Sequence, residues 1–475
     1  MEKTLDGKLS DPQYIKMTET PVPLLVSKLA VPTTVSMLVS SVYNMADTYF
    51  VSQLNDTSAT GAVGVVFALM AMIQAVGFTV GMGAGSWISR LLGQKRNSDA
   101  NTVAISALVM GILFGSVIMV FGKMFSDTLM IMLGATKTIL PYANAYGQYI
   151  LFAAPVMSAT YVLNNLLRAE GKATFSMIGI GLGGIINIIL DPVFIFDFGF
   201  GMKTAGAALA TAISQCISFT LLLFPFILGK TTVRLNIMKL STKISDYANI
   251  IKFGLPSFCR QGLSSASSVV LSNSAKVFAG VHADAAIAGM GVVSRVFMFV
   301  FSLCLGLGQG YMPVLGYNYG AKKYERVKKA FNFTLYASTA MFVIAAAAGF
   351  IFAPDIISIF SNGEGGTKML EVGTAAFRAQ CISMPFIPLG VMSNMTYQSL
   401  GRSLTSTFLS CLRQGLFYIP VMLILPRFIG LPGVEYTQAI ADLLTSAVSV
   451  IFVVKFLSEI TALIKTSGTE EKCDA

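Results

Sequence analysis

Charge is scarce in this chain: Asp, Glu, Lys and Arg make up 12% of its 475 residues, against roughly 25% in a soluble domain. With 54% hydrophobic residues and a mean hydropathy of +0.71, most of it is not built for water. Histidine occurs once, and His282, beside Asp284 in a short loop, reads as a capping or solvated residue rather than a proton carrier or metal ligand. The six cysteines (Cys216, Cys259, Cys304, Cys381, Cys411 and Cys473) are scattered without Cys-x-x-Cys or Cys/His spacing, which argues against a zinc site or a disulfide framework. There is no nucleophile and base pair, no metal-ligand spacing and no phosphate loop, so neither an enzyme nor a resident cofactor is expected. Gly179-x-Gly181-x-x-Gly184 matches a dinucleotide fingerprint in form only. It lies inside an apolar stretch with no strand before it, where glycines serve close helix packing.

What the chain has in quantity is apolar stretches of about 20 residues or more, the length of a helix crossing a hydrocarbon core of about 30 Å. A membrane barrel would show alternating segments of roughly 10 residues instead. The formal net charge is +10, but the basic residues form no patch interleaved with aromatics, so nucleic acid is not an expected partner. They fall in alternate loops: Arg90, Lys95 and Arg96; Arg168 and Lys172; Lys230, Arg234, Lys239 and Lys243; Lys322, Lys323, Arg326, Lys328 and Lys329. The intervening loops are poor in Lys and Arg, so the positive-inside rule puts the basic loops and both termini in the cytoplasm of a multi-pass protein of the cell membrane. Residues 1–20 are polar and mixed in charge, unlike a cleavable signal, so the first apolar helix is expected to stay in the mature protein.

Hydropathy and breakers predict twelve helices, over 24–53, 59–89, 101–122, 139–166, 173–197, 204–229, 246–279, 285–316, 328–353, 371–399, 403–426 and 433–464. An internal repeat organises them. Residues 61–96 align without a gap on 288–323 at an offset of 227, pairing Gly64-Val65-Val66 with Gly291-Val292-Val293 and Gly83 with Gly310. A second correspondence, at 230, pairs Pro155 with Pro385 and Gly171-Lys172-Ala173 with Gly401-Arg402-Ser403. Each half has an even number of helices, so both halves enter the membrane from the same side, a parallel repeat with a substrate cavity between them. The expectation is an all-α membrane protein of two pseudo-symmetric six-helix lobes, residues 1–229 and 247–475, joined by a cytoplasmic linker at 230–246. One chain supplies both walls of the cavity, so a monomer is expected.

Ionisable side chains in hydrocarbon cost about 2.5–3.5 kcal/mol on insertion scales, so each needs a partner or a function. Ser40, Asn44 and Asp47 fall at i, i+4 and i+7 of the first helix and form one polar stripe. That stripe should face a protein-lined cavity, with Tyr43 beside it and Ser214 opposite as further lining candidates. Asn187 and Asp191, four apart in the fifth helix, share a face, and Pro192 interrupts the backbone bonding there, freeing carbonyl oxygens. Thr211, Ser214 and Ser218 continue a polar face on the sixth helix. Two carboxylates among amide and hydroxyl oxygens suit a proton or a hard monovalent cation such as sodium, bound by Asp47, Asn187, Asp191 and Thr211. The plainer alternative makes Asp191 a helix-end residue near the headgroups and Asp47 a structural acceptor. In the second half Arg260, Gln261, Arg295, Arg413, Gln414 and Asp442 lie within predicted helices. A mainly structural buried network is expected there, pairing Arg295 or Arg413 with Asp442, with anion or lipid-headgroup binding as the alternative. The 25 methionines and 34 phenylalanines suit an adaptable pocket for varied apolar cations, although most should face lipid or core.

Ordered motifs add a further level. They are Pro32 and Asn44-Met45-Ala46-Asp47-Thr48 in the first helix, Gly61-Ala62-Val63-Gly64 opening the second, and Leu167-Arg168-Ala169-Glu170-Gly171 after the fourth. Asn187-Ile188-Ile189-Leu190-Asp191-Pro192, Gly206-Ala207-Ala208-Leu209-Ala210-Thr211 and Gly254-Leu255-Pro256 complete the set. In these the chain resembles, over nearly its whole length, the multidrug and toxic compound extrusion (MATE) family. The resemblance implies a V-shaped, two-lobed exporter that exchanges protons or sodium ions for organic, often cationic and amphipathic compounds. It also implies that Asp47, Asn187, Asp191 and Thr211 are the cation-binding constellation of the amino-terminal lobe. NorM-like members carry a glutamate in the seventh helix shortly after the Gly-Leu-Pro motif, where this chain reads Arg260-Gln261-Gly262-Leu263-Ser264. No ion site is therefore expected in the carboxy-terminal lobe, and the chain looks closer to the bacterial DinF-like and MepA-like branch. A lipid-linked oligosaccharide or lipid-precursor flippase, of related architecture, is the alternative function, for which the arginines of the second half would suit a phosphate headgroup.

Overall fold

The computed structural model describes residues 12–54, 57–197, 199–278, 283–359 and 366–473; His282 lies outside them, as do the side chains of Asn44, Asp284 and Cys473. A short helix α1 (Pro12–Glu19) precedes α2 (Val22–Ser52), α3 (Thr57–Gly93) and α4 (Asn97–Met124). Then come α5 (Ser126–Met132), α6 (Leu140–Ala169), α7 (Ala173–Ile195) and α8 (Thr204–Ile227). The second half holds α9 (Ile244–Phe278), α10 (Ala283–Gly320), α11 (Tyr324–Ile351) and α12 (Ala353–Ser358). It ends with α13 (Gly366–Ser383), α14 (Ile387–Ser399), α15 (Ser403–Cys411), α16 (Tyr418–Ile429) and α17 (Leu431–Cys473). No strand occurs among the described residues.

The twelve expected helices are present, two of them interrupted, and all lie within a few residues of their expected ends except the last, which runs nine residues past 464 to Cys473. The tenth divides into α13 and α14 at a 3-10 turn, Met384–Phe386, around Pro385, which has no N–H to offer the preceding turn. The eleventh divides into α15 and α16 at a π turn, Leu412–Phe417. Among the described residues, eleven spans are long and apolar enough to cross a membrane. The exception, α9, is diluted by Ser264, Ser265, Ser267, Ser268, Ser272 and Ser274. Three of those hydroxyls donate to the carbonyl four residues back, from Ser265 to Gln261, Ser268 to Ser264 and Ser272 to Ser268, at 3.1–3.3 Å, so the helix satisfies them internally.

The two lobes repeat each other in contacts as well as in sequence. Ser176 on α7 donates to Asn164 on α6, and 230 residues on Asn394 on α14 donates to Ser406 on α15. The lobes meet crosswise, α2 against α10 and α3 against α9. Gly83 of α3 seats against the Ile250 carbonyl of α9, and its repeat mate Gly310 of α10 seats against Ala30 of α2. A side chain at either glycine would drive the crossing backbones apart. Thr33 reinforces the second crossing with a 2.6 Å hydrogen bond to the Gly306 carbonyl.

These crossings lie toward the end of the bundle that carries the basic loops. One apolar core runs through both lobes there, taking in Leu29, Ile88, Leu166, Ile250, Tyr317 and Phe456. At the opposite end the lobes keep separate cores, one around Val66, Tyr146 and Ala207, the other around Val293, Phe377 and Tyr418. The molecule is thus sealed at the basic end, with a small apolar floor of Phe78, Met82, Met312 and Met395 between the lobes. Helix α1, which the sequence did not signal, spans the seal. Gln13 donates to the Glu170 carbonyl of the first lobe at 2.5 Å, while Asn318 and Lys323 of the second donate to the Met17 and Thr18 carbonyls at 3.1 and 3.2 Å.

Candidate functional site

Four helices of the first lobe bring their polar residues to one level. Asp47 lies near the end of α2 and Asp191 near the end of α7, while Tyr146 and Thr211 lie near the starts of α6 and α8. Since those helices alternate in direction, all four residues sit in the half of the lobe away from the basic loops, roughly 6–10 Å inside the helix ends at 1.5 Å per residue. Asp47, Tyr146, Asn187, Asp191 and Thr211 are all buried. The Tyr146 hydroxyl donates to Asp47 Oδ2 at 2.8 Å. The Asn187 amide donates to Asp191 Oδ1 at 3.2 Å and approaches Thr211 Oγ1 at 3.4 Å. The two carboxyls are close enough for Asp47 to act electrostatically on Asp191, so the halves of the cluster form one electrostatic unit.

The cluster is short of donors. Among the described residues, Asp47 Oδ1, Asn187 Oδ1 and Asp191 Oδ2 are buried without a hydrogen-bond partner, as are Ser214 Oγ and Gln215 Oε1 nearby. Buried acceptors left unmatched cost about 1–3 kcal/mol each, and more when charged. An arrangement of unmatched oxygens around two carboxyls is one that a proton or a hard cation completes. Alongside runs a cavity lined by Ser40, Tyr43, Tyr161, Asn187, Thr211 and Ser214. Three of the expected lining residues, Ser40, Tyr43 and Ser214, therefore border it, and the side chain of the fourth, Asn44, lies outside the described residues. Asp191, with no exposed surface, is not a solvated helix-end residue, although α7 does finish four residues later at Ile195.

Nothing in the spacing of polar residues singles out Tyr146. It lies on the face of α6 that carries the buried residues Ala143, Gly147, Ile150 and Ala154. A tyrosine in such a stripe has to find a hydroxyl partner when buried, and that was the available signal.

The second lobe resolves differently. Arg413, in the π turn, donates from Nε to Asp442 Oδ1 at 2.7 Å and lies 3.4 Å from Oδ2 through Nη2. Gln438 adds a 3.0 Å bond to Oδ1, and the guanidinium lies 5.0 and 4.6 Å from the ring centroids of Phe297 and Phe301. Arg413 is thus the partner of Asp442, and Arg295 is not: it is exposed on α10, about 200° round the helix from Phe297. Arg260 and Gln261 also stand outside that network. Arg260 points toward Met82 of the first lobe, 3.8 Å from its sulfur, and Gln261 is half-buried beside it. Arg168, expected in a basic loop, is instead buried at the end of α6 with 3% of its surface exposed.

Among the described residues no group of three or more His, Cys, Asp or Glu side chains could hold a metal ion, and the five described cysteines are free. The MatE family model matches this chain twice, at residues 32–193 and again at 262–424. The multidrug export protein MepA of Staphylococcus aureus is 28% identical over 445 residues, which are 94% of this chain and 96% of that protein. A crystal structure of MATE in complex with MaL6 superposes with a TM-score of 0.88 at 25% identity, covering 96% of this chain and 100% of that one. The outward-facing conformation of a multidrug resistance MATE family transporter of the MOP superfamily has the same TM-score of 0.88 at 24% identity, over 96% of this chain and 100% of that one.

Proposed function

This chain belongs to the MatE family, and on that premise we propose that it is a multi-pass secondary exporter that moves organic, mostly cationic and amphipathic compounds out of the cell in exchange for protons or sodium ions. The observation that carries the reading is the buried cluster of Asp47, Asn187, Asp191 and Thr211 with its unmatched oxygens. These residues would hold the coupling ion, and Tyr146 fixes the Asp47 carboxyl toward them. An ion there supplies positive charge to a pocket that otherwise concentrates negative potential. The same potential attracts a cationic drug, so ion and drug compete for the lobe.

Transport follows as alternating access. The state described here is joined at the basic end and separated at the other; in the proposed orientation, with both termini cytoplasmic, it faces outward. Exchange requires the ion to prefer one lobe arrangement and the drug another, because a ligand with equal affinity for both moves nothing. Each chain supplies both lobes, and we place it as a monomer in the cell membrane. The flippase alternative is not favoured: the full-length relative is a multidrug export protein, and Arg413 is already neutralised by Asp442.

Dye efflux from proteoliposomes under separately imposed proton and sodium gradients tests the proposal. Efflux driven by one gradient and lost in Asp47→Asn is the expected result and identifies the ion. Well-folded protein that moves dye under neither gradient would overturn it.

A further inference from the structure

Under the apolar floor, between the lobes at the basic end, the fold buries a guanidinium without an acidic partner. Arg168 closes α6 and is 3% exposed. Its Nε donates to Ser176 Oγ at 3.1 Å and its Nη1 to Gln309 Oε1 of the second lobe. Both partners are neutral, and Nη2 has no hydrogen-bond partner among the described residues. No acidic side chain among the described residues acts on it electrostatically; Glu170, two residues on, is turned to the Thr232 amide at 2.8 Å. Arg168 lines a pocket with Ser86, Ser89, Asn165, Gln309 and Met312. Asn165 spends one amide hydrogen on the Tyr161 carbonyl at 2.8 Å and keeps a second donor.

The charge at this position is not demanded by packing. At the 230-residue offset of the repeat, position 168 corresponds to Gln398. That neutral side chain bonds the Phe253 carbonyl and the Ser257 hydroxyl at 3.1 and 3.0 Å, so an amide serves in the second lobe where the first has a cation. A buried cation with unused N–H groups and no counter-ion is stabilised by whatever anion can reach it. One guanidinium balances one negative charge. A narrow pocket walled partly by methionine favours a weakly hydrated monovalent ion over phosphate.

We propose that a halide-like monovalent anion binds between the lobes at Arg168, and that it favours the arrangement closed at the basic end. The second half of that statement rests on the alternating-access reading. The pocket takes walls from α3 and α6 of one lobe and α10 of the other. Parting the lobes there removes Gln309 and Met312, so the anion prefers the closed state and by linkage stabilises it.

The first experiment needs no transport. The purified full-length chain is unfolded thermally in bromide or in gluconate at constant ionic strength, beside Arg168→Gln, which installs the residue that the repeat itself uses. A saturable rise in melting temperature with bromide, lost in R168Q, is expected. An equal response in both proteins overturns the site. If R168Q does not fold, bromide-soaked crystals of the unaltered chain decide: an anomalous peak at Nη2 supports the site, and a water there overturns it. Spin labels replacing Lys95 and Lys322 then report the basic end. A bromide-driven shift toward the shorter distance supports state preference, and no shift overturns that half alone. Because binding is read without any gradient, its failure is separate from failure of the export reading.

Discussion

The same repeat unit ends in opposite electrostatic solutions in the two lobes. In the first, Gly183 at the middle of α7 bears no side chain and Ser218 of α8 packs against it, while the cluster around Asp47 and Asp191 keeps three oxygens unmatched among the described residues. In the second, the residue 230 positions on is Arg413, and its guanidinium engages both carboxylate oxygens of Asp442. One lobe carries a built-in cation, and the other, on the proposed function, takes an exchangeable one. A permanent internal partner makes a structural pair, whereas two buried acids beside a cavity lined by Asn187 and Thr211 are, on the proposed function, a loadable site. The π turn at 412–417 belongs to this difference, since it re-aims Arg413 within an otherwise conventional helix.

Five variants break or sharpen that contrast. Asp47→Asn and Asp191→Asn should each abolish gradient-driven efflux, by at least about tenfold per 1.4 kcal/mol of lost differential affinity. Their melting temperatures should change little, since each removes an unbalanced buried charge; proteoliposome efflux and thermal unfolding read the two quantities. Asp442→Asn should do the reverse. Leaving the largely covered Arg413 unpaired costs up to about 3–5 kcal/mol, visible as lower folded yield, while transport per folded molecule holds. Tyr146→Phe removes one hydrogen bond to a carboxylate, worth about 1.5–3 kcal/mol, and should weaken the dependence of efflux on the driving ion without unfolding the lobe. The double change Arg413→Gln with Asp442→Asn should have the smallest effect, because replacing both members of a buried pair is often near neutral. A double variant as unstable as Asp442→Asn alone would show that the pair is not self-contained.

The legible parts of the molecule were those written in period and offset. Apolar lengths gave the spans, and the offsets of 227 and 230 gave the lobes, because each lobe repeats its glycines and prolines at matching places. Asn187 with Asp191, and Thr211 with Ser214, were legible as faces because helical spacing alone puts them together. What stayed hidden depended on rotation about helices and on breaks in them. Of the two partners expected for Asp442, Arg413 takes the place and Arg295 does not, because rotation about α10 turns it to the exposed face, which sequence alone does not show. Tyr146 needed the packed face of α6 to be known before its hydroxyl demanded a partner. Arg168 was counted with the loop cations because basic residues at helix ends usually are, and only the crossing of the lobes buries it. Helix α1 carries too few apolar residues to announce itself, and buried Met17 and Thr18 seat it together with its hydrogen bonds to both lobes.

The glycine crossings also set the gearing of the molecule. Gly83 lies 26 residues from the start of α3 at Thr57, so the helix beyond the crossing is a lever about 39 Å long. If the contact with Ile250 acts as a fulcrum, a rotation of roughly 10° moves the far end by about 7 Å while the crossing itself travels almost nothing. A small tilt, gentle enough to leave backbones in touch at Gly83 and Gly310, is then multiplied into a wide mouth at the other end.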